Sequence, residues 1–265
     1  MTEILAFGSG GLVGFILGLI GGGGSVLAVP LLVYVVGVTS PHIAIGTGAL
    51  AVGLSAFGNL VVHARARNVK WQCASVFAGA GIVGALIGSI LGKMIDGHKL
   101  LLLFGLLMIA IAAAMVWKKA SVGNPDVQLT SASAARLLPR LLGYGLSAGA
   151  LSGFFGIGGG FLVVPGLIAA TDMPMISAVG SSLVSVTAFG LTTAASYAFS
   201  GLIDWRLAAI FIAGGTGGGF IGARTAKHLS AGKDTLRLIF AGIVAAVGIY
   251  VVTRGIMTLA SAAGA

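Results

Sequence analysis

The sequence predicts an all-α polytopic membrane protein made of two inverted-topology repeats, and three observations carry that expectation. The first is composition. Of 265 residues, 57% are hydrophobic and 8% charged, with a mean hydropathy of +1.10. A soluble domain carries about 25% charged residues, so this chain has too little polar surface to face water all round. The second is an internal repeat. The stretch Gly18-Leu-Ile-Gly21-Gly-Gly-Gly24-Ser25-Val-Leu-Ala-Val-Pro30 returns as Gly153-Phe-Phe-Gly156-Ile-Gly158-Gly159-Gly160-Phe-Leu-Val-Val-Pro165. The third is the placement of the 15 Lys and Arg residues between the apolar runs.

Taken in order, the apolar runs predict five helical segments in each half. The first spans 4–20, with no Lys or Arg before it, so it reads as part of the mature protein rather than a secretory signal. The second, 24–37, begins where the glycines end. The third, 42–64, follows Pro41, a residue suited to a helix start. The fourth and fifth, 71–95 and 99–118, are separated by Asp96-Gly97-His98. A polar stretch with the turn chemistry Gly123-Asn124-Pro125-Asp126 follows. It divides the chain into an N-terminal repeat (1–118), a linker (119–135) and a C-terminal repeat (136–265), together one transmembrane domain. The second half then reads as segments at 137–155, 159–171, 175–200, 205–229 and 232–256.

The repeat extends beyond the glycine motifs. At an offset of about 134 residues, Trp71 falls on Trp205, Phe77 on Phe211, and Gly81, Gly84 and Gly88 on Gly215, Gly218 and Gly222. Lys93 falls on Lys227 and Lys99 on Lys233, while Pro41 through Thr47 matches Pro174 through Ser181 with one gap. A unit this long suits a transporter half rather than a solenoid repeat.

Charge orients the halves. With an odd number of crossings per half the second copy is inverted, and eleven basic residues share one side against four on the other. With an even number the division is nine to six. Basic residues gather on the cytoplasmic side, so the expectation is inverted repeats in the inner membrane, both termini outside and the linker cytoplasmic. The net charge of +9 belongs to these loops and to anionic lipid, with no nucleic-acid partner implied. Segments 24–37 and 159–171 reach roughly 20 Å as helix, short of the ~30 Å hydrocarbon core. Each forms either a re-entrant hairpin with the run before it or a short tilted crossing. Both options keep an odd count.

The glycine breaks are the candidate site. A helix start presents unpaired N–H groups and the positive end of its dipole, and glycine lets a ligand approach the backbone. Gly21, Gly22, Gly23, Gly24 and Ser25 in one half, with Gly156, Gly158, Gly159 and Gly160 in the other, would face a common small anion near the midplane. Thr47, Ser181 and Ser182, beginning the third segments, add hydroxyl donors, although such groups also bond back to their own helix. The six acids (Glu3, Asp96, Asp126, Asp172, Asp204 and Asp234) fall at segment ends. No carboxylate proton relay is therefore placed in mid-membrane, and nothing there repels an anion. A single Cys73 and no grouped His or acid residues point to no metal, no cofactor and no enzyme.

The doubled Gly-rich motif ending in Val-Pro, the Pro41 and Pro174 segments, and the Trp71 and Trp205 segments with their spaced glycines resemble the TauE/SafE family over nearly the whole chain. That resemblance implies a membrane exporter of sulfite, sulfoacetate or related organosulfonates. The combined expectation is a transporter holding the anion at two Gly-rich helix starts and working by alternating access. Its rivals are an anion channel using the same helix ends and a non-transporting accessory subunit whose glycines only pack.

Overall fold

A computed structural model describes residues 2–20, 22–117, 127, 129, 131–228 and 233–263. Gly21 and most of the linker lie outside the described residues. Within them the chain is helical, with no strand. In the first half α1 spans Thr2–Ile20, α3 Pro41–Arg65, α4 Trp71–Met94 and α5 Gly97–Trp117. Between α1 and α3 lies the short helix α2, whose α turn Ala28–Pro30 joins a 3₁₀ stretch, Gly22–Leu27, to a π stretch, Leu31–Val35. Pro30 has no N–H to give the ladder, and the helix widens immediately after it. In the second half α6 spans Ser131–Phe155, α7 Gly160–Thr171, α8 Met175–Ala198, α9 Trp205–His228 and α10 Lys233–Ala263. The expected segments are all present, with the first short helix beginning at Gly22 rather than near Ser25 and the last running on to Ala263.

Six of the described helices are long and apolar enough to cross a membrane. Helices α6 and α9 are as long, at 25 and 24 residues, or roughly 36 Å, but carry more basic residues. The 12-residue α7 rises only about 18 Å. Helix α4 shows why polar-out patterning is absent. Its inward face buries Cys73, Phe77, Gly81, Gly84 and Gly88, and its outward face exposes Ile82, Val83, Leu86, Ile87 and Ile90. A helix apolar on every side belongs in lipid. Trp71, Trp205 and Trp117 lie exposed at helix ends, where an interfacial aromatic belt would fall.

Two glycine seams hold the bundle. In one, Gly10, Gly14 and Gly11 of α1 sit against the backbone of Phe211, Gly215 and Gly218 of α9. In the other, Gly145, Gly149 and Gly153 of α6 sit against Phe77, Gly81 and Ala85 of α4. The first two pairs of each seam are the same pairs displaced by one repeat. With no side chain between them, the backbones approach closely enough for dispersion to join helices that gain nothing from leaving lipid. Rising residue numbers on both partners show that each seam joins helices running in the same sense.

The direction of the two halves follows from these registers. Helix α9 runs with α3, since Gly215 meets Ser55 and Gly219 meets Asn59. Helix α3 runs against α8, since Gly46 meets Tyr197 and Gly53 meets Gly190. Helix α8 runs with α4, Phe189 meeting Gly81 and Ser196 meeting Ser89. Helices α5 and α10 are antiparallel, Leu102 meeting Gly255 and Gly105 meeting Gly248. Helices α1 and α6, equivalent in the repeat, therefore point in opposite directions.

Candidate functional site

Helix α6 ends and α7 begins through a turn that only glycine makes cheaply. Gly156, Gly158 and Gly159 have φ of +66°, +63° and +69°, the left-handed region that costs other residues about 1–2 kcal/mol. Space is equally restrictive. A Cβ at Gly156 would overlap Ile45 Cγ2, one at Gly158 would lie 2.8 Å from Val52 Cγ1, and one at Gly159 2.9 Å from Ser152 Oγ. The turn is thus wedged between α3, α6 and α8. The first acceptor of α7 is the Gly159 carbonyl, which takes the N–H groups of Leu162 and Val163, both at 2.9 Å. The N–H groups of Gly160 and Phe161 come before it, at the positive end of the helix. Successive N–H groups in such a turn form a concave cradle for an anion.

A second feature points the same way. Ser152, one turn before Gly156 on α6, is fully buried, and its hydroxyl has no partner. Ser185 is likewise fully buried and unpartnered. It stands beside Val186, which borders Gly158, and one turn before Phe189, which borders Gly159. A buried hydroxyl left unpaired costs about 1–3 kcal/mol, and Ser152 and Ser185 both carry that cost near this turn. Neither serine was among the expected site residues. The available signal was asymmetry in the repeat, since Ser152 falls on Leu17 and Ser185 on Ala51.

The first glycine motif is built differently. Gly22 and Gly23 enter a 3₁₀ stretch directly, and Gly24 lies against α1, where a Cβ would come 2.5 Å from the Leu17 nitrogen and 2.9 Å from the Val13 carbonyl oxygen. Gly21 is outside the described residues. Ser25 is fully buried and engaged. This 3₁₀ stretch packs against α7, and Val26, Leu27, Phe155, Ile157 and Phe161 share one core. The two short helices therefore meet inside the bundle.

The predicted hydroxyls do mixed work. Thr47 Oγ1 accepts from the Asp204 N–H at 3.0 Å, and Ser181 Oγ accepts from the Lys70 N–H at 2.9 Å. These are one contact repeated: each ties the start of a third helix to the start of the other half's fourth helix. Ser182 donates to the Val179 carbonyl at 2.8 Å within α8. Thr47 and Ser181 thus accept backbone N–H groups between halves, and Ser182 bonds back to its own helix.

Three of the described acids are held at helix ends. Among the described acids, Asp204 caps α9 by accepting from Leu207 N–H at 2.9 Å, and Glu3 pairs with Arg206 at the bundle surface. Asp96 caps α5, and the N–H groups of Lys99 and His98 hold its carboxyl below the usual range. Among the described residues no group of three His, Cys, Asp or Glu could hold a metal. Beside Gly156, Gly158 and Gly159 stand Ile45, Val52, Val186, Phe189 and Ser152.

Comparison with known proteins fits this geometry. The family described as "Sulfite exporter TauE/SafE" matches residues 6–251. A Xylella fastidiosa protein named "Probable membrane transporter protein" is 51% identical over 95% of both chains. The Bacillus subtilis "Probable membrane transporter protein YunE" is 24% identical over 97% of this chain and all of its own. The Methanocaldococcus jannaschii "Probable membrane transporter protein MJ0441" is 29% identical over 65% of each. No solved structure matches.

Proposed function

The chain belongs to the TauE/SafE family of membrane transporters, and we propose that it exports a small sulfur-containing anion such as sulfite or an organosulfonate. The Gly156–Gly160 turn holds the anionic group near the midplane through backbone N–H groups and the hydroxyls of Ser152 and Ser185. The Gly22–Ser25 helix start closes the site from the opposite half. The observation that carries this reading is the left-handed glycine turn beside a fully buried, unpartnered Ser152. Tetrahedral and pyramidal oxyanions offer several acceptors to such a cluster.

The halves act as inverted repeats that rock to alternate access to this turn. The opposite sense of α1 and α6 supports that reading, as does the excess of basic residues on one side. Both termini then lie outside and the linker in the cytoplasm. Cysteine labelling at Thr2 and Ser131 in intact cells tests this: Thr2→Cys reacts with an impermeant reagent and Ser131→Cys does not. The reverse pattern overturns it.

An inside-negative potential favours exit of a monovalent anion by ~2.3 kcal/mol per 100 mV, so export runs without a coupling ion. The test is sulfite flux in proteoliposomes under an imposed potential. Voltage-driven, saturable flux with counterflow is expected. Strict dependence on a proton or Na⁺ gradient with no response to voltage would overturn the uniport mechanism.

A further inference from the structure

One cationic cluster is used neither by the glycine turn nor by an ion pair. Lys93, near the end of α4, extends its amine to the end of α8. It donates to the Ser196 carbonyl at 3.0 Å and to Ser200 Oγ at 2.9 Å, and its Nζ lies 5.6 Å from the centre of the Tyr197 ring. No carboxylate reaches it among the described residues. The acids at this end are committed elsewhere: Asp96 to α5, Asp204 to α9 and Glu3 to Arg206. Tyr197 is fully buried and its hydroxyl has no partner. The His42 ring stands 6.4 Å from the Tyr197 ring, and its buried Nδ1 is also unpartnered.

Three features coincide: a half-buried ammonium with only neutral acceptors, an orphan phenol inside it, and an exposed serine outside it. A cation partly desolvated beside neutral groups alone is costly, and a small anion would offset that cost. The cluster also connects inward. Tyr197, Thr193, Phe189 and Ser185 follow one another at four-residue spacing on α8, and Thr193 is another fully buried, unpartnered hydroxyl. This row leads from the cluster to the glycine turn.

We propose that Lys93, Tyr197 and Ser200 form a second anion station at the mouth of the bundle where α4 and α8 end, occupied by a small oxyanion on its way to or from the glycine turn. The ligand class rests on the anion reading above. The rival is a purely structural tie, in which Lys93 caps the α8 carbonyls.

The test uses the full chain in proteoliposomes, with sulfite as probe and flux measured separately from each face. Lys93→Gln raises the sulfite KM about ten-fold or more from the face where α8 ends, the loss expected for one charged hydrogen bond, and leaves the opposite face unchanged. Lys93→Arg restores it. Equal KM changes on both faces, or no change, overturns the station while leaving the central site standing. Sulfite-dependent melting of Gly158→Ala supplies a readout without transport. If wild type moves no sulfite yet the melting shift of Gly158→Ala is lost in Gly158→Ala/Lys93→Gln, the station holds and the export reading fails. A shift unaffected by Lys93→Gln overturns the station.

Discussion

At Gly24 the chain leaves α1 straight into a 3₁₀ stretch that packs on the backbone of Val13, Ile16 and Leu17. At Gly159, the equivalent residue, it sits at φ +69° beside an unpartnered serine. The two turns share their spacing, their place before a short helix, and a proline six residues on at Pro30 and Pro165. What differs is one break in the glycine run at Ile157, the paired positions Ser25 and Gly160, and the residue beneath, Leu17 in one half and Ser152 in the other. A duplicated motif has kept its fold position while its two turns differ in backbone conformation. Around them the scaffold stays symmetric, in the two seams and in the Thr47 and Ser181 caps.

The largest expected effect separates the turns by conformation. Gly156→Ala combines left-handed strain with overlap on Ile45, and costs about 3 kcal/mol or more. Gly24→Ala carries no left-handed strain but presses a methyl on the α1 backbone, at about 1–3 kcal/mol. Thermal melts of the purified variants measure the gap, and equal losses would break the comparison. The scaffold makes the opposite claim. Gly14→Ala and Gly149→Ala place a methyl on the backbone of Gly215 and Gly81, and each costs about 1–3 kcal/mol by the same melts. A difference between them above about 1 kcal/mol would contradict equivalent seams.

Smaller effects test the hydroxyls. Thr47→Val and Ser181→Ala each leave one backbone N–H from the other half unpaired, costing about 1–2 kcal/mol with sulfite affinity unchanged. Loss of affinity at full stability would assign those hydroxyls to the anion instead. Ser152→Ala removes a group that has no partner to lose. Its melting temperature stays the same or rises slightly, while sulfite stabilisation falls. A clear drop in ligand-free stability would mean that the hydroxyl is already satisfied.

The ten segments were legible because a chain that crosses lipid must bury or expose apolar residues on every helical face, and polar interruptions mark the ends. Boundaries shifted at Gly22, at Ser131, where α6 begins inside the expected linker, and at Ala263. The doubled breaks were legible, but the difference between the two turns was not. The positive φ at Gly156, Gly158 and Gly159 goes with close packing of Ile45, Val52 and Ser152 from α3 and α6, residues distant in sequence or on another helix. Thr47 and Ser181 looked like free donors because their partners, Asp204 and Lys70, lie more than a hundred residues away. Ser152 and Ser185 escaped notice because serine in a helix usually bonds back to its own carbonyls; here neither hydroxyl has any partner.

Calorimetric binding of sulfite to the purified chain, compared across Gly158→Ala, Ser152→Ala and Ser25→Ala, tests the central claim most directly. Wild type binds, Gly158→Ala and Ser152→Ala weaken binding about ten-fold or more, and Ser25→Ala stays within about three-fold. Unchanged affinity in the Gly158 and Ser152 variants, with the loss appearing at Ser25 instead, would contradict the assignment of the anion to the second turn.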